Sequence, residues 1–217
     1  MEDTFKHKGL RKKLVEEIRK KGITDEAVLK AIGTIPRHWF FMAKGIEDYA
    51  YVDKAFPISA GQTISQPYTV AFQSQVLNVK KGEKILEIGT GSGYQAAVLV
   101  ELGAKVYTIE RQKDLYIQTS KLLPSLGFHL QTFLGDGYKG LPNYGPFDKI
   151  IITAAPPEIP QALLGQLKIG GKLIAPVGET DVQIMREVVR KSELEFEIID
   201  HGTFSFVPML KGIGENK

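Results

Sequence analysis

Three glycines directly after an apolar run could bring a ligand against bare backbone. In ILEIGTGSGYQ, Gly89, Gly91 and Gly93 follow a strand-like run and precede a helical pattern. Glycine permits a tight turn and close approach to the main chain, and the N–H groups at a helix start carry partial positive charge. Glu110 ends the next β-branched run, 21 residues after Gly89. That is where an acidic side chain in a nucleotide-binding sheet accepts hydrogen bonds from two ribose hydroxyls. A second cluster stands upstream in GQTISQPYTVA, residues 61–71. Pro67 favours the first position of a helix, which makes Gln66 the cap. A slightly different boundary makes Ser65 the cap, and a third reading turns the Ser65 hydroxyl toward a substrate. The local sequence leaves these readings open.

The elements that must position these residues are legible in outline. Leu10, Leu14 and Ile18 recur every four residues, which predicts an amphipathic helix over 9–21 ending at Gly22. Asp25 and Glu26 open a second helix, stopped at Gly33. Residues 34–64 are irregular and rich in aromatics, and so long an irregular stretch is often functional. A helix over 67–78 follows. Short β-branched runs then alternate with helical stretches: KILEI, KVYTI, LQTFL, KIIIT and KLIAPV, interleaved with GYQAAVLVELG, RQKDLYIQTSKLLPSLG and PEIPQALLGQL. That alternation predicts an α/β fold, a doubly wound and mostly parallel sheet. VQIMREVVRK and LEFEIIDHGTFSFVPM are extended and separated by a short polar turn, so they are expected to form an antiparallel pair at one edge.

Bulk properties narrow the function. The chain has 217 residues, 43% hydrophobic and 24% charged, with a formal net charge of +3. This fits one domain, 1–217, read as an N-terminal substrate-side extension (1–78), a cofactor-binding core (79–180) and C-terminal strands (181–217). The charge is too mild to imply a nucleic-acid partner, and the basic residues near the N-terminus read as a solvated helix face. No run is long and apolar enough for a membrane span, and the start lacks the apolar core of a signal peptide, so a cytoplasmic enzyme is expected. The absence of cysteine removes a thiolate nucleophile and Cys-bound zinc, and His7, His38, His129 and His201 are scattered, so no metal is expected.

The nucleotide follows from the glycines. A dinucleotide fingerprint needs a glycine at position 94, where Tyr94 stands, which argues against a dinucleotide-dependent oxidoreductase. Gly-x-Gly-x-Gly with Glu87 two residues earlier instead resembles the motif of class I S-adenosylmethionine-dependent methyltransferases. A carboxylate at Glu87 could balance the positive charge of that cofactor. Asp136 and Gly137, in LGDGY, then match the loop that edges the adenine in those enzymes. Cytosine C5 methylation would need a cysteine. Amino methylation of bases commonly uses Asp/Asn-Pro-Pro-aromatic, where this chain has Ala155-Pro156-Pro157-Glu158. An acceptor already ionised at neutral pH would need no general base.

Over nearly its whole length the chain resembles the protein-L-isoaspartate (D-aspartate) O-methyltransferase family. The resemblance is carried by IPRHWF, AFPISAGQTISQPYTVA, KILEIGTGSGYQAAVLVELG, VYTIER, GDGYKG, FDKIIITAAPPEIP, LKIGGKLIAPVG and FVPMLKG. QTISQP and FVP are the specific stretches. IPRHWFF departs mildly, in residues expected to pack. The resemblance implies a seven-stranded Rossmann-like sheet whose last two strands exchange positions. It also implies methyl transfer from S-adenosyl-L-methionine, leaving S-adenosyl-L-homocysteine, to the free α-carboxylate of L-isoaspartyl residues in damaged proteins and peptides. The ester closes to a succinimide, which initiates repair. It assigns Ser65 to the active site and Thr63, Ile64 and Val207 to the peptide. The alternative is a class I methyltransferase acting on another carboxylate or a small molecule.

Overall fold

The computed structural model describes residues 2–41, 45 and 47–214. Two helices open the chain, α1 (Phe5–Lys20) and α2 (Glu26–Thr34). The first begins four residues sooner than its apolar spacing predicts, because the Thr4 hydroxyl accepts from the His7 N–H. Asp25 caps the second by accepting from the N–H groups of Ala27 and Val28 at 2.9 and 3.2 Å. The irregular stretch resolves into 3-10 turns at Arg37–Phe40, Glu47–Tyr51 and Ser59–Gly61, and a small antiparallel pair, β1 (Phe56–Pro57) and β2 (Thr63–Ile64). Helix α3 (Pro67–Leu77) follows with Pro67 at its first position.

Alternation then sets in: β3 (Lys84–Ile88), α4 (Tyr94–Glu101), β4 (Lys105–Glu110), α5 (Lys113–Ser125), β5 (Gln131–Leu134), β6 (Phe147–Ile152), α6 (Gln161–Leu164), β7 (Leu167–Val177), β8 (Gln183–Arg190) and β9 (Phe196–Phe204). The seven strands of the main sheet run in the order β5-β4-β3-β6-β7-β8-β9. Pairings from β5 to β7 are parallel, and β7–β8 and β8–β9 are antiparallel. The antiparallel pair expected from the tail therefore forms the edge, with β8 inside β9.

Two further elements differ from the sequence reading. Helix α6 is only four residues long, because Pro156, Pro157 and Pro160 cannot donate to a helical ladder. Strand β7 starts at Leu167 rather than Lys172, with a register shift against Phe147 and Lys149. Gly171 allows it: a Cβ there would lie 2.7 Å from the Asp148 carbonyl.

The central parallel strands β3 and β6 are buried on both faces, as strands covered on both sides require. Ile85, Val106, Ile151 and Ile174 pack with Leu77 of α3 and Ala96 and Leu99 of α4. Their chain neighbours Leu86, Ile150, Ile152 and Leu173 point to the other face, among Leu163, Leu167 and Met209. A further cluster binds α1 and α2 to α3, α4 and Leu123 of α5. The N-terminal helices are thus fastened to the same side of the sheet as the glycine-loop helix.

Candidate active site

Where β3 stops, the main chain must turn sharply before α4 begins. Gly89, Gly91 and Gly93 take φ of 98°, 53° and 84°, a region L side chains rarely adopt. Space forbids substitution as well. A Cβ at Gly89 would meet the Thr153 hydroxyl at 2.6 Å, and one at Gly93 would meet the Thr119 methyl at 2.8 Å. Three neighbours lock the loop. Thr153 Oγ1 donates to the Gly89 carbonyl at 2.7 Å, Thr119 Oγ1 to the Gly91 carbonyl at 2.8 Å, and the N–H of Gly89 to the Ile109 carbonyl at 2.9 Å.

Glu110, at the end of β4, is 4% exposed. One carboxylate oxygen accepts from the Gly91 N–H and the other from the Gln112 N–H, both at 2.8 Å. Each oxygen keeps a lone pair for a further donor. The loop and Glu110 line a cleft of about 790 Å³, counting the space open at its mouth. The remaining wall includes Ser92, Gln95, Arg111, Gly137 and Thr153, with Thr63 and Ser65 on one side and Val207 to Leu210 on another. That last stretch is a strap. The Ala155 N–H donates to the Val207 carbonyl at 2.8 Å, the Met209 N–H to the Ala155 carbonyl at 2.7 Å, and the Gly214 N–H to the Arg111 carbonyl at 2.8 Å. Tyr138 Oη donates to the Met209 carbonyl at 3.1 Å.

Thr63 and Ser65 also line an adjoining groove of about 1350 Å³, open to solvent, walled by Tyr68, Phe72, His201 and Phe204. Ser65 is not the cap of α3. Gln66 holds the cap position and offers no side-chain cap bond. The donor at Tyr68 N–H goes instead to Asp53 Oδ1 at 2.8 Å. The capping role thus belongs to an aspartate 13 residues upstream of Gln66, a tertiary contact that local spacing cannot reveal. Ser65 is free to stand where the cleft meets the groove.

Four expected site residues lie off these walls: Gly93, where a Cβ would face Thr119 and Leu123 instead, and Glu87, Asp136 and Ile64. Glu87 is fully buried, because alternation along β3 turns it toward α3 and α4. The Thr108 hydroxyl donates to Glu87 Oε2 at 2.5 Å, and Thr108 Oγ1 lies 2.7 Å from Thr90 Oγ1, so Thr90 donates to it. Glu87 thus touches the cleft through Thr90 rather than directly. Its Oε1 has no partner among the described residues. Desolvation lifts its pKa to about 8 against the Thr108 hydrogen bond, with the nearby Glu110 charge adding to the rise. Asp136 Oδ1 accepts from the Tyr138 N–H at 3.0 Å, an Asx turn that leaves Gly137 to form the wall. A Cβ at Gly137 would fall 2.4 Å from Ile88 Cγ2, so that wall must be bare backbone. Ile64 is buried in the core formed with α1 and α2 and lines neither space.

The histidines are less scattered than their spacing suggests. His7 and His38 stack with ring centroids 4.0 Å apart, and Asp3 offers an oxygen within 4.8 Å of their ring nitrogens. Both oxygens of Asp3 accept from Arg11, and His38 Nδ1 meets Tyr51 Oη at 2.6 Å.

The cleft suits S-adenosylmethionine on its own terms. Backbone cradled by left-handed glycines admits an amino-acid moiety closely, Glu110 offers paired acceptors to a diol, and the bare edge at Gly137 admits a flat ring. Gln95 Oε1, buried and unpartnered among the described residues, adds negative potential at the cleft wall, which suits a cationic ligand.

Comparison with known proteins agrees. A family model described as Protein-L-isoaspartate(D-aspartate) O-methyltransferase matches residues 9–214. A protein-L-isoaspartate O-methyltransferase of Christiangramia forsetii is 61% identical over 212 residues, 97% of this chain and 99% of the relative. Another from Flavobacterium johnsoniae is 63% identical over 213 residues, 97% and 99% of the two chains. A solved protein-L-isoaspartate O-methyltransferase superposes with a TM-score of 0.84 at 28% identity, over 94% of this chain and 67% of that one. A Plasmodium falciparum structure titled as a beta-aspartate methyltransferase in complex with S-adenosyl-L-homocysteine gives 0.78 at 26% identity, over 93% and 99%.

Proposed function

Because the chain belongs to the protein-L-isoaspartate(D-aspartate) O-methyltransferase family, we propose how its own residues carry out that family's reaction. The enzyme methylates the free α-carboxylate of L-isoaspartyl residues, initiating their repair through a succinimide. When bound, S-adenosylmethionine supplies an electrophilic methyl group on a sulfonium centre and leaves as S-adenosylhomocysteine. Glu110 accepts from the ribose hydroxyls, and the glycine loop with Gly137 gives the cofactor backbone to lie against. Glu87, protonated in the ligand-free protein, would ionise to balance the cofactor's positive charge from behind the loop, through Thr108 and Thr90. Asp136 shapes the turn that holds Gly137.

One observation carries the assignment on the acceptor side: Ser65 lines both the glycine-walled cleft and the open groove. A hydroxyl at that junction donates to one oxygen of the incoming carboxylate and leaves the other free to attack. The nucleophile belongs to the substrate, so Ser65 orients and forms no covalent bond. Backbone groups of Thr63 and Val207 hold the peptide, and Ile64 braces them from the core. A carboxylate is ionised at neutral pH, so no proton transfer is needed. Alignment and exclusion of water supply the rate.

The same reading assigns residues 1–78 to the acceptor side, 79–180 to the cofactor and 181–217 to the closing strands of one domain, acts in the cytoplasm on peptides and proteins, and excludes nucleic acid as substrate. A net charge of +3 supports the last point. The test uses paired peptides differing only in isoaspartyl or normal aspartyl linkage, with labelled S-adenosylmethionine. Label on the isoaspartyl peptide alone is expected; equal labelling of both, or of neither, overturns the assignment.

A further inference from the structure

Beneath the Ser65 segment lies a charge that the reaction as described does not use. Arg37 is 1% exposed, and among the described residues no carboxylate forms an ion pair with its guanidinium. Nη1 donates to the Ala50 carbonyl at 2.6 Å. Nη2 donates to the Lys54 carbonyl at 3.2 Å and to the Ser65 carbonyl at 2.9 Å. The guanidinium carbon lies 5.1 Å from the centroid of the Phe41 ring, 5.5 Å from Tyr94 and 6.0 Å from Phe56. Tyr94 opens α4, directly after the glycine loop, and itself lines the cofactor cleft.

Burying a cation without a carboxylate partner is costly, so its retention points to what the guanidinium does for the groups it binds. What only a planar fork can do is bind three carbonyls of separate segments at once while stacking on rings. Those segments are the 3-10 turn ending at Tyr51, the chain entering β1, and the residue that joins the two cavities. Burial pulls the guanidinium down to about 10, with Tyr94, Asp53 and Tyr51 opposing, so it stays charged at neutral pH.

We infer that Arg37 is a positioning residue for the acceptor: it fixes the Ser65 backbone, and so the angle of the Ser65 hydroxyl, relative to the cofactor loop, which it contacts through Tyr94. The inference rests on the reading of Ser65 as the carboxylate orienter. It predicts that Arg37 governs acceptor alignment and leaves cofactor affinity almost untouched.

The test compares Arg37→Met, Arg37→Lys and Ser65→Ala. Methionine fills similar volume and leaves no uncompensated charge, so Arg37→Met is expected to fold. Lysine keeps the charge and lacks the fork. In both Arg37 variants kcat/KM for an isoaspartyl peptide should fall roughly tenfold or more. The dissociation constant for S-adenosylhomocysteine, by calorimetry, should change less than about twofold. Unchanged kcat/KM in either variant, a full rescue by lysine, or a parallel loss of cofactor affinity would overturn the inference. If Ser65→Ala keeps full activity, the reading of Ser65 fails and the inference with it; if Ser65→Ala loses activity while the Arg37 variants keep theirs, the inference alone fails. Should neither Arg37 variant fold, NMR of the wild-type protein decides. Separate, slowly exchanging Arg37 Nη proton signals are expected, and rapidly averaged signals would refute three held carbonyls.

Discussion

At the scale of single residues, the site separates groups that touch ligand from groups that act from behind. Ser65 caps nothing, so Ser65→Ala should lower kcat/KM about tenfold or more with little change in melting temperature, the cost of losing a hydrogen bond to a charged group. Thermal melts and peptide kinetics on one preparation check this. Glu110→Ala removes both acceptors and frees the N–H groups of Gly91 and Gln112. Affinity for S-adenosylmethionine should fall by about 1.5–3 kcal/mol in a calorimetric titration. Glu87 gives a pH signature. Its carboxyl is raised from the usual 4.5 to about 8 by burial, so the folded state keeps a proton that the unfolded chain has released. The stability this contributes is complete below pH 4.5 and drains away as pH rises toward 8. Glu87→Gln cannot lose it. The melting temperature of the ligand-free variant, relative to the parent, should therefore climb between pH 5 and 8; a constant difference would show that Glu87 does not titrate in this range.

At the scale of elements, helix α3 is anchored by a residue outside it. Asp53 caps the Tyr68 N–H and also accepts from Lys21 Nζ at 2.6 Å and Gln66 Nε2 at 3.0 Å. Asp53→Ala should cost at least about 0.5–2 kcal/mol from the lost cap alone, measured by urea unfolding. This division explains what the sequence could tell. The glycines, Glu110 and the alternation of strands with helices are local signals, and each sits where spacing puts it. Chain neighbours set β-branched runs and positive φ. Arg37, Asp53 and Thr108 owe their roles to hydrogen-bond partners 13 to 32 residues away, and no periodicity records those. Glu87 shows the limit within one strand. Its place before the glycines was legible, but the side it faces depends on register, which only the assembled sheet fixes. Asp136 makes a local hydrogen bond for a simpler reason: an aspartate two residues before an unpaired N–H serves its own turn first.

At the scale of the molecule, the cofactor cleft is closed by chain from both ends of the fold: residues 62–65 before the sheet begins and 207–210 after it ends. Truncation after Phe204 removes the strap and the bonds that join it to Ala155 and Arg111. Such a protein should retain its sheet, as judged by circular dichroism, yet bind S-adenosylhomocysteine at least roughly tenfold more weakly, since several wall residues and their hydrogen bonds are lost together. Retained affinity would show that the strap covers the pocket without contributing to it. The strap is also the last wall to emerge during translation. A nascent chain on the ribosome can pair its parallel strands and seat its glycine turn before Val207 exists, but it cannot yet enclose the methyl donor. Full affinity for that donor therefore arises in one late step, when Val207 to Leu210 complete the wall.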